Sequence, residues 1–261
     1  MTGVRWWLRF LAGFAVLYGV LAGLAELDAT GRFGLLILAA VLLVALAVER
    51  VLDGTGPVES ARRLGFGRPG WRALLVAAAV SVLVLLVYPL VTAMTGAVFA
   101  LRPGWPWLLV GIFAFHGLAE ELVWRGYAFR RLRAGRSFGR AVAWTMPLVA
   151  ATHIPIIISS GPAVGAAAIL VAGVTALPFA HLYEGGGNTL WAPALLHTAI
   201  DSFKLVELPV AALTTFSLTL AAVSITIPLL ALAVPRRVLI PRRRVRPDPA
   251  PAPPPPRPPG R

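Results

Sequence analysis

Residues 107–125 read WLLVGIFAFHGLAEELVWR. The run has the length that crosses a bilayer as a helix, about 20 residues. It nevertheless carries His116, Glu120, Glu121 and Arg125. A charged side chain near the middle of a spanning helix costs about 2.5–3.5 kcal/mol. Residues retained at that cost face the interior of a bundle or a wet cavity, and function is the first reading for them.

The rest of the chain puts this helix in a membrane. Of 261 residues, 58% are hydrophobic and 13% are charged, with a mean hydropathy of +0.79. Soluble domains carry about 25% charged residues. Apolar segments lie at 6–25, 33–48, 71–94, 107–125, 141–159, 162–182, 189–206 and 211–234. Lipid offers no partners to open backbone groups, so segments this apolar are helical. With no cysteine in the chain, disulfides, thiolate metal sites and a cysteine nucleophile are all excluded.

The net charge of +13 comes almost wholly from arginine, with Lys204 the only lysine. The arginines cluster in alternate connections between the apolar runs and after residue 235. That is the positive-inside pattern of membrane topology and not a nucleic-acid recognition face. With the N-terminus cytoplasmic, only Arg32, Arg102 and Lys204 fall outside, and Arg125 lies within a helix. The fold class is therefore an all-α membrane protein of about eight transmembrane helices, with both termini cytoplasmic. Residues 1–234 form the membrane domain, and 235–261 form a disordered, Arg/Pro-rich cytoplasmic tail.

Two further segments carry ionisable groups, His153 in the fifth and His197 with Asp201 in the seventh. At about 1.5 Å per residue, Glu120, His153 and His197 lie at roughly 15, 20 and 13 Å from the cytoplasmic side. Glu121 and Arg125 are i,i+4 and read as an ion pair that braces the helix. Glu120 points about 100° away and is left to act as a base. His197 and Asp201 share a face, as do His116 and Glu120, which makes His116 a second-tier candidate. His181 reads as an interfacial residue.

These residues resemble the CPBP family of intramembrane proteases, which includes type II CAAX prenyl endopeptidases and bacteriocin-processing relatives. The E-E-x-x-x-R motif is Glu120-Glu121-Leu122-Val123-Trp124-Arg125, continued by Gly126 and Tyr127. The F-x-x-x-H motif is Val149-Ala150-Ala151-Thr152-His153, with Val149 in place of the usual Phe. The H-x-x-x-N/D motif is His197-Thr198-Ala199-Ile200-Asp201. The resemblance covers about residues 107–206.

The resemblance implies hydrolysis of a peptide bond within or near the membrane, in a multi-pass protein of the plasma (inner) membrane. Glu120 would be the general base, His153 would help hold the water, and His197 with Asp201 would stabilise the oxyanion. A second scheme places a divalent metal such as zinc on Glu120, His153 and His197. The metal-free scheme is the one carried forward. The implied partners are a peptide or membrane-protein substrate and the lipid bilayer. A non-catalytic immunity or assembly factor on the same fold, and a proton or ion transporter, remain as the other function classes.

Overall fold

The computed structural model describes residues 3–28 and 30–240. Helices form on the apolar segments because only there can the backbone satisfy itself without water. They are α1 (Val4–Leu27), α2 (Gly34–Asp53), α3 (Pro57–Arg63), α4 (Trp71–Leu85), α5 (Val87–Thr95), α6 (Trp105–Ile112), α7 (Arg130–Arg133), α8 (Phe138–Ala151), α9 (Pro155–Ser160), α10 (Pro162–Gly185), α11 (Trp191–Ile200), α12 (Leu213–Thr226) and α13 (Arg236–Leu239). Between α6 and α7 the chain stays helical but widens into two π-type stretches, Phe113–Ala119 and Leu122–Phe129. One motif-bearing helix thus runs from Trp105 to Arg133. Among the described residues, the strands are β1 (Ala100–Leu101) and β2 (Val206–Glu207), a short antiparallel pair.

Among the described residues, seven helices are long and apolar enough to cross a membrane. The eighth expected segment, 189–206, differs. It consists of the ten-residue α11 and a 3₁₀ continuation, Asp201–Leu205. Their rises sum to roughly 25 Å. Leu190 N–H and the Trp191 indole bond to the carbonyls of Gly65 and Gly67, while the Leu205 carbonyl accepts from Arg102 N–H at the other end. The segment therefore joins the same two ends as the longer helices. Enclosed by protein over most of its surface, it need not match the hydrocarbon thickness itself.

The alternation of arginine-rich connections is visible as geometry. The Arg136 guanidinium lies over Trp6 and Trp7 at the start of α1. Arg130 and Arg131 bind Glu49 near the end of α2, at 2.5 and 2.8 Å, and Arg131 also binds Asp53 at 2.6 Å. Arg133 and Arg236 both bind Glu184 near the end of α10. Arg72, at the start of α4, donates to the Val238 carbonyl. All of these share one end of the bundle. Arg32 and Arg102 lie at the other, where the Arg32 carbonyl accepts from the Trp107 indole and Arg102 donates to the Val206 carbonyl.

Close backbone approaches position the motif-bearing helix. A Cβ on Gly126 would collide with the Leu64 carbonyl oxygen, and one on Gly117 would stand 2.8 Å from Thr198 Oγ1 and 3.0 Å from the Ala194 carbonyl. These glycines let the loop after α3 and helix α11 pack at backbone distance, as small residues do between membrane helices. The neighbouring Tyr127 is fully buried and donates its hydroxyl to the Phe10 carbonyl at 3.0 Å. An aromatic ladder of Phe10, Phe14 and Tyr18 lies along α1 against Tyr127 and Trp124.

The fifth segment is not the continuous helix expected over 141–159. It stops at Ala151, turns through Thr152–Ile154 with i→i−3 bonds, and restarts at Pro155. Proline supplies no N–H to the preceding turn, which accounts for the break. His181, expected at the interface, lies one turn before Glu184 at the arginine-rich end of α10. It is buried, and its Nε2 bonds the Val234 carbonyl at 2.9 Å. Of the Arg/Pro-rich tail, Arg236–Leu239 forms a helical turn whose Leu239 is buried on Gly185. Residues 241–261, and with them the expectation of disorder there, lie outside the described residues.

Two outcomes test this packing. Alanine is the better helix former by about 1 kcal/mol, yet Gly126→Ala is expected to lower stability by about 1–3 kcal/mol, because its methyl meets a carbonyl oxygen that cannot withdraw. Thermal unfolding in detergent reads the sign directly. Glu49→Gln leaves two arginines without their shared carboxylate and is expected to cost about 2–3 kcal/mol in the same measurement.

Candidate functional site

Glu121 and Arg125 are the sealed part of the site, with side chains 0% and 2% exposed. Arg125 donates to Glu121 Oε1 at 2.9 Å, as the i,i+4 spacing predicts. The same oxygen also accepts from His197 Nδ1 at 2.9 Å. Glu121 is therefore more than a brace, because it fixes the imidazole on α11. Phe179 of α10 completes this pocket, its ring 4.8 Å from the Arg125 guanidinium carbon and 5.4 Å from the His197 ring.

Glu120 stands on the open side, with its side chain 18% exposed. It is not the unpartnered acid that the helical wheel suggests. Its Oε1 accepts from His116 Nδ1 at 2.7 Å, and its Oε2 lies 3.7 Å from His197 Nε2. The two adjacent carboxylates thus meet one imidazole from both sides. An ideal α-helix separates neighbours by about 100°. Here the glutamates sit between two widened π stretches, a distortion found most often at functional sites.

Asp201 does not orient His197, although the two are i,i+4. Helix α11 ends at Ile200, and the 3₁₀ turn swings the Asp201 carboxylate towards Lys204 Nζ at 3.2 Å and His116 Nδ1 at 3.3 Å. Lys204, expected at the non-cytoplasmic end of the seventh segment, belongs to the site. Its ammonium donates to His116 Nε2 at 2.8 Å. That bond makes Nε2 the acceptor and leaves Nδ1 to carry the proton donated to Glu120. In sequence, Lys204 counts only as a topology charge at the end of segment 189–206, and so its part in the site is missed. Its i,i+3 spacing from Asp201 was the available signal.

His153 is not part of this network. It lies in the break between α8 and α9, where its Nδ1 donates to the Val149 carbonyl at 2.8 Å. Among the described residues, no hydrogen bond or ion pair joins it to Glu120 or His197. Val149 itself is buried. The metal set of Glu120, His153 and His197 is accordingly not assembled: the break turns the His153 ring back on its own helix, and both Glu120 oxygens face imidazoles. No group of three or more His, Asp or Glu side chains among the described residues is arranged to hold a metal ion. The residues present do not fit a resident metal.

The arrangement offers a partly exposed carboxylate between two imidazoles, with Asp201 and Lys204 16% and 20% exposed beside it. Such a group can take a proton from a water and return it to a leaving group. No curated protein and no solved structure matches the chain. Residues 102–203 match the family model described as Rce1-like, type II CAAX prenyl endopeptidase Rce1-like. That stretch holds all three motifs and every residue of the network except Lys204, and over it the chain is similar to the Rce1-like type II CAAX prenyl endopeptidases.

Proposed function

We propose that this multi-pass membrane protein is an intramembrane endopeptidase of the plasma membrane, with Glu120 as its general base. The observation that carries the reading is the partly exposed Glu120 carboxylate, held between His116 and His197 inside an apolar bundle. Glu120 takes a proton from a water as the water oxygen attacks the scissile carbonyl carbon. The carbonyl oxygen gains the negative charge. When the C–N bond breaks, Glu120 returns the proton to the departing amine.

His197 is fixed by its Nδ1–H bond to Glu121. In its protonated form its Nε2–H can donate to the developing oxyanion. His153, bonded through Nδ1 to Val149, has Nε2 as a lone-pair acceptor. It is the second acceptor for the same water, reached when substrate closes the site, since catalytic hydrogen bonds often tighten only in the complex. Asp201 and Lys204 act through His116, keeping it a donor to Glu120. The substrate is a peptide segment of a membrane protein or membrane-tethered precursor. A prenylated C-terminus is the substrate class that the family name suggests.

Comparative membrane proteomics of cells carrying the wild type and Glu120→Gln tests this reading. An uncleaved precursor should accumulate in the variant, and cleavage by the purified variant should fall by about 10²–10⁴-fold. Full cleavage by a folded Glu120→Gln protein would exclude the base. Lys204→Met should slow cleavage about tenfold, by releasing the His116 tautomer, and should change the pH profile. A uniform loss of folded protein with an unchanged profile would assign Lys204 a purely structural part.

A further inference from the structure

A cavity lies at the arginine-rich end of the bundle, away from the Glu120 network. Its volume is about 480 Å³, and it is lined by Arg62, Arg63, Arg130, Arg133, Tyr183 and Asn188 among others. Phe129 and Arg130 are nine and ten residues beyond Glu120 on the motif-bearing helix, or roughly 15 Å along it. The walls come from the end of α3, from α7, and from the turn between α10 and α11, where Asn188 takes a left-handed φ of 61°.

The charges around the cavity do not cancel. Arg63 pairs with Glu59, Arg130 with Glu49, and Arg133 with Glu184. Each of these acids serves other cations or lies at the rim, since Glu49 is shared with Arg131 and Glu184 with Arg236. Arg62 has no side-chain partner among the described residues. A second, independent observation is Tyr183. Tyr183 is 1% exposed, and its hydroxyl makes no hydrogen bond among the described residues. A buried hydroxyl without a partner is costly. A donor in a wall with four guanidinium groups is matched by an anion with several acceptor oxygens.

We propose that this cavity binds a phosphate ester, with Arg62 and Arg133 as the guanidinium forks and Tyr183 as a hydroxyl donor. The cavity falls in the size range of small-molecule sites and exceeds what a bare phosphate fills. The phosphate can come from an anionic phospholipid headgroup at the cytoplasmic surface or from a soluble ester. The bound anion would tie α3 to the end of the motif-bearing helix. This proposal does not rest on the peptidase reading.

Thermal unfolding of the full chain in a neutral detergent tests it, with phosphatidylglycerol, phosphatidylcholine or pyrophosphate added. Phosphatidylglycerol should raise the unfolding midpoint by several degrees and phosphatidylcholine should not. The half-saturating concentration should rise about tenfold in Arg62→Gln and in Tyr183→Phe. Neither substitution removes a side-chain bond among the described residues, so both variants should fold. A matching shift from pyrophosphate identifies a soluble ester, whereas a shift from the lipid alone identifies the headgroup. The proposal is overturned if neither anion outperforms phosphatidylcholine, or if both variants bind as the wild type does.

Discussion

The carboxylate of Glu121 is wholly buried in a bundle of apolar helices, and its compensation organises the site. A charge in that environment needs a partner with good geometry and further hydrogen bonds. Arg125 supplies the countercharge from the next turn of the same helix, and His197 supplies a second donor from α11. The pair is thus a joint between two elements and not only a local brace. It also fixes which face His197 presents to Glu120. Removing either charge would strand the other in a space with no water to receive it.

The network divides by exposure. Glu121 and Arg125 are sealed, while Glu120, His197, Asp201 and Lys204 have side chains 16–20% exposed. A structural charge pair gains from exclusion of water, whereas a base that activates water requires some. The widened turns on either side of the two glutamates place one carboxylate in each environment. Lys204, His116 and Glu120 then form a directed chain of donors, ammonium to imidazole to carboxylate.

Much of this was legible in the residues. Segment positions followed from apolar length, and the shared end of the arginine-rich connections followed from their alternation. The Glu121–Arg125 pair followed from i,i+4 spacing. What failed did so mostly where the chain leaves ideal helix. His197 and Asp201 would share a face on a continuous α-helix, but α11 ends between them. Glu120 does diverge from Glu121, but it is not left free, because His116 on its own face donates to it. The turn at Thr152–Ile154 redirects His153, and hydropathy does not register such a break because the sequence stays apolar through it. Lys204 reads in sequence as a topology charge at the end of the seventh segment, whereas the 3₁₀ turn of Asp201–Leu205 carries it back onto His116.

These departures share a physical origin. A helix facing lipid must satisfy its backbone internally, which holds it close to ideal geometry. A helix enclosed by protein is released from that demand, because neighbouring groups can take up freed donors and acceptors. The π stretches, the short α11 and its 3₁₀ continuation all occur on the most enclosed elements, where Gly117 and Gly126 admit other chain segments at backbone distance. The α8–α9 break is the exception, lying on a segment whose Ile154 and Ile158 side chains are exposed. There the freed groups are met locally, by Thr152 and His153 bonding back to the Val149 carbonyl and by the Tyr18 hydroxyl donating to the Thr152 carbonyl. Of the three motifs, the one bearing His153 is therefore the one not clamped to the others by buried charge. Its position relative to Glu120 is set by weaker local bonds than those that fix His197.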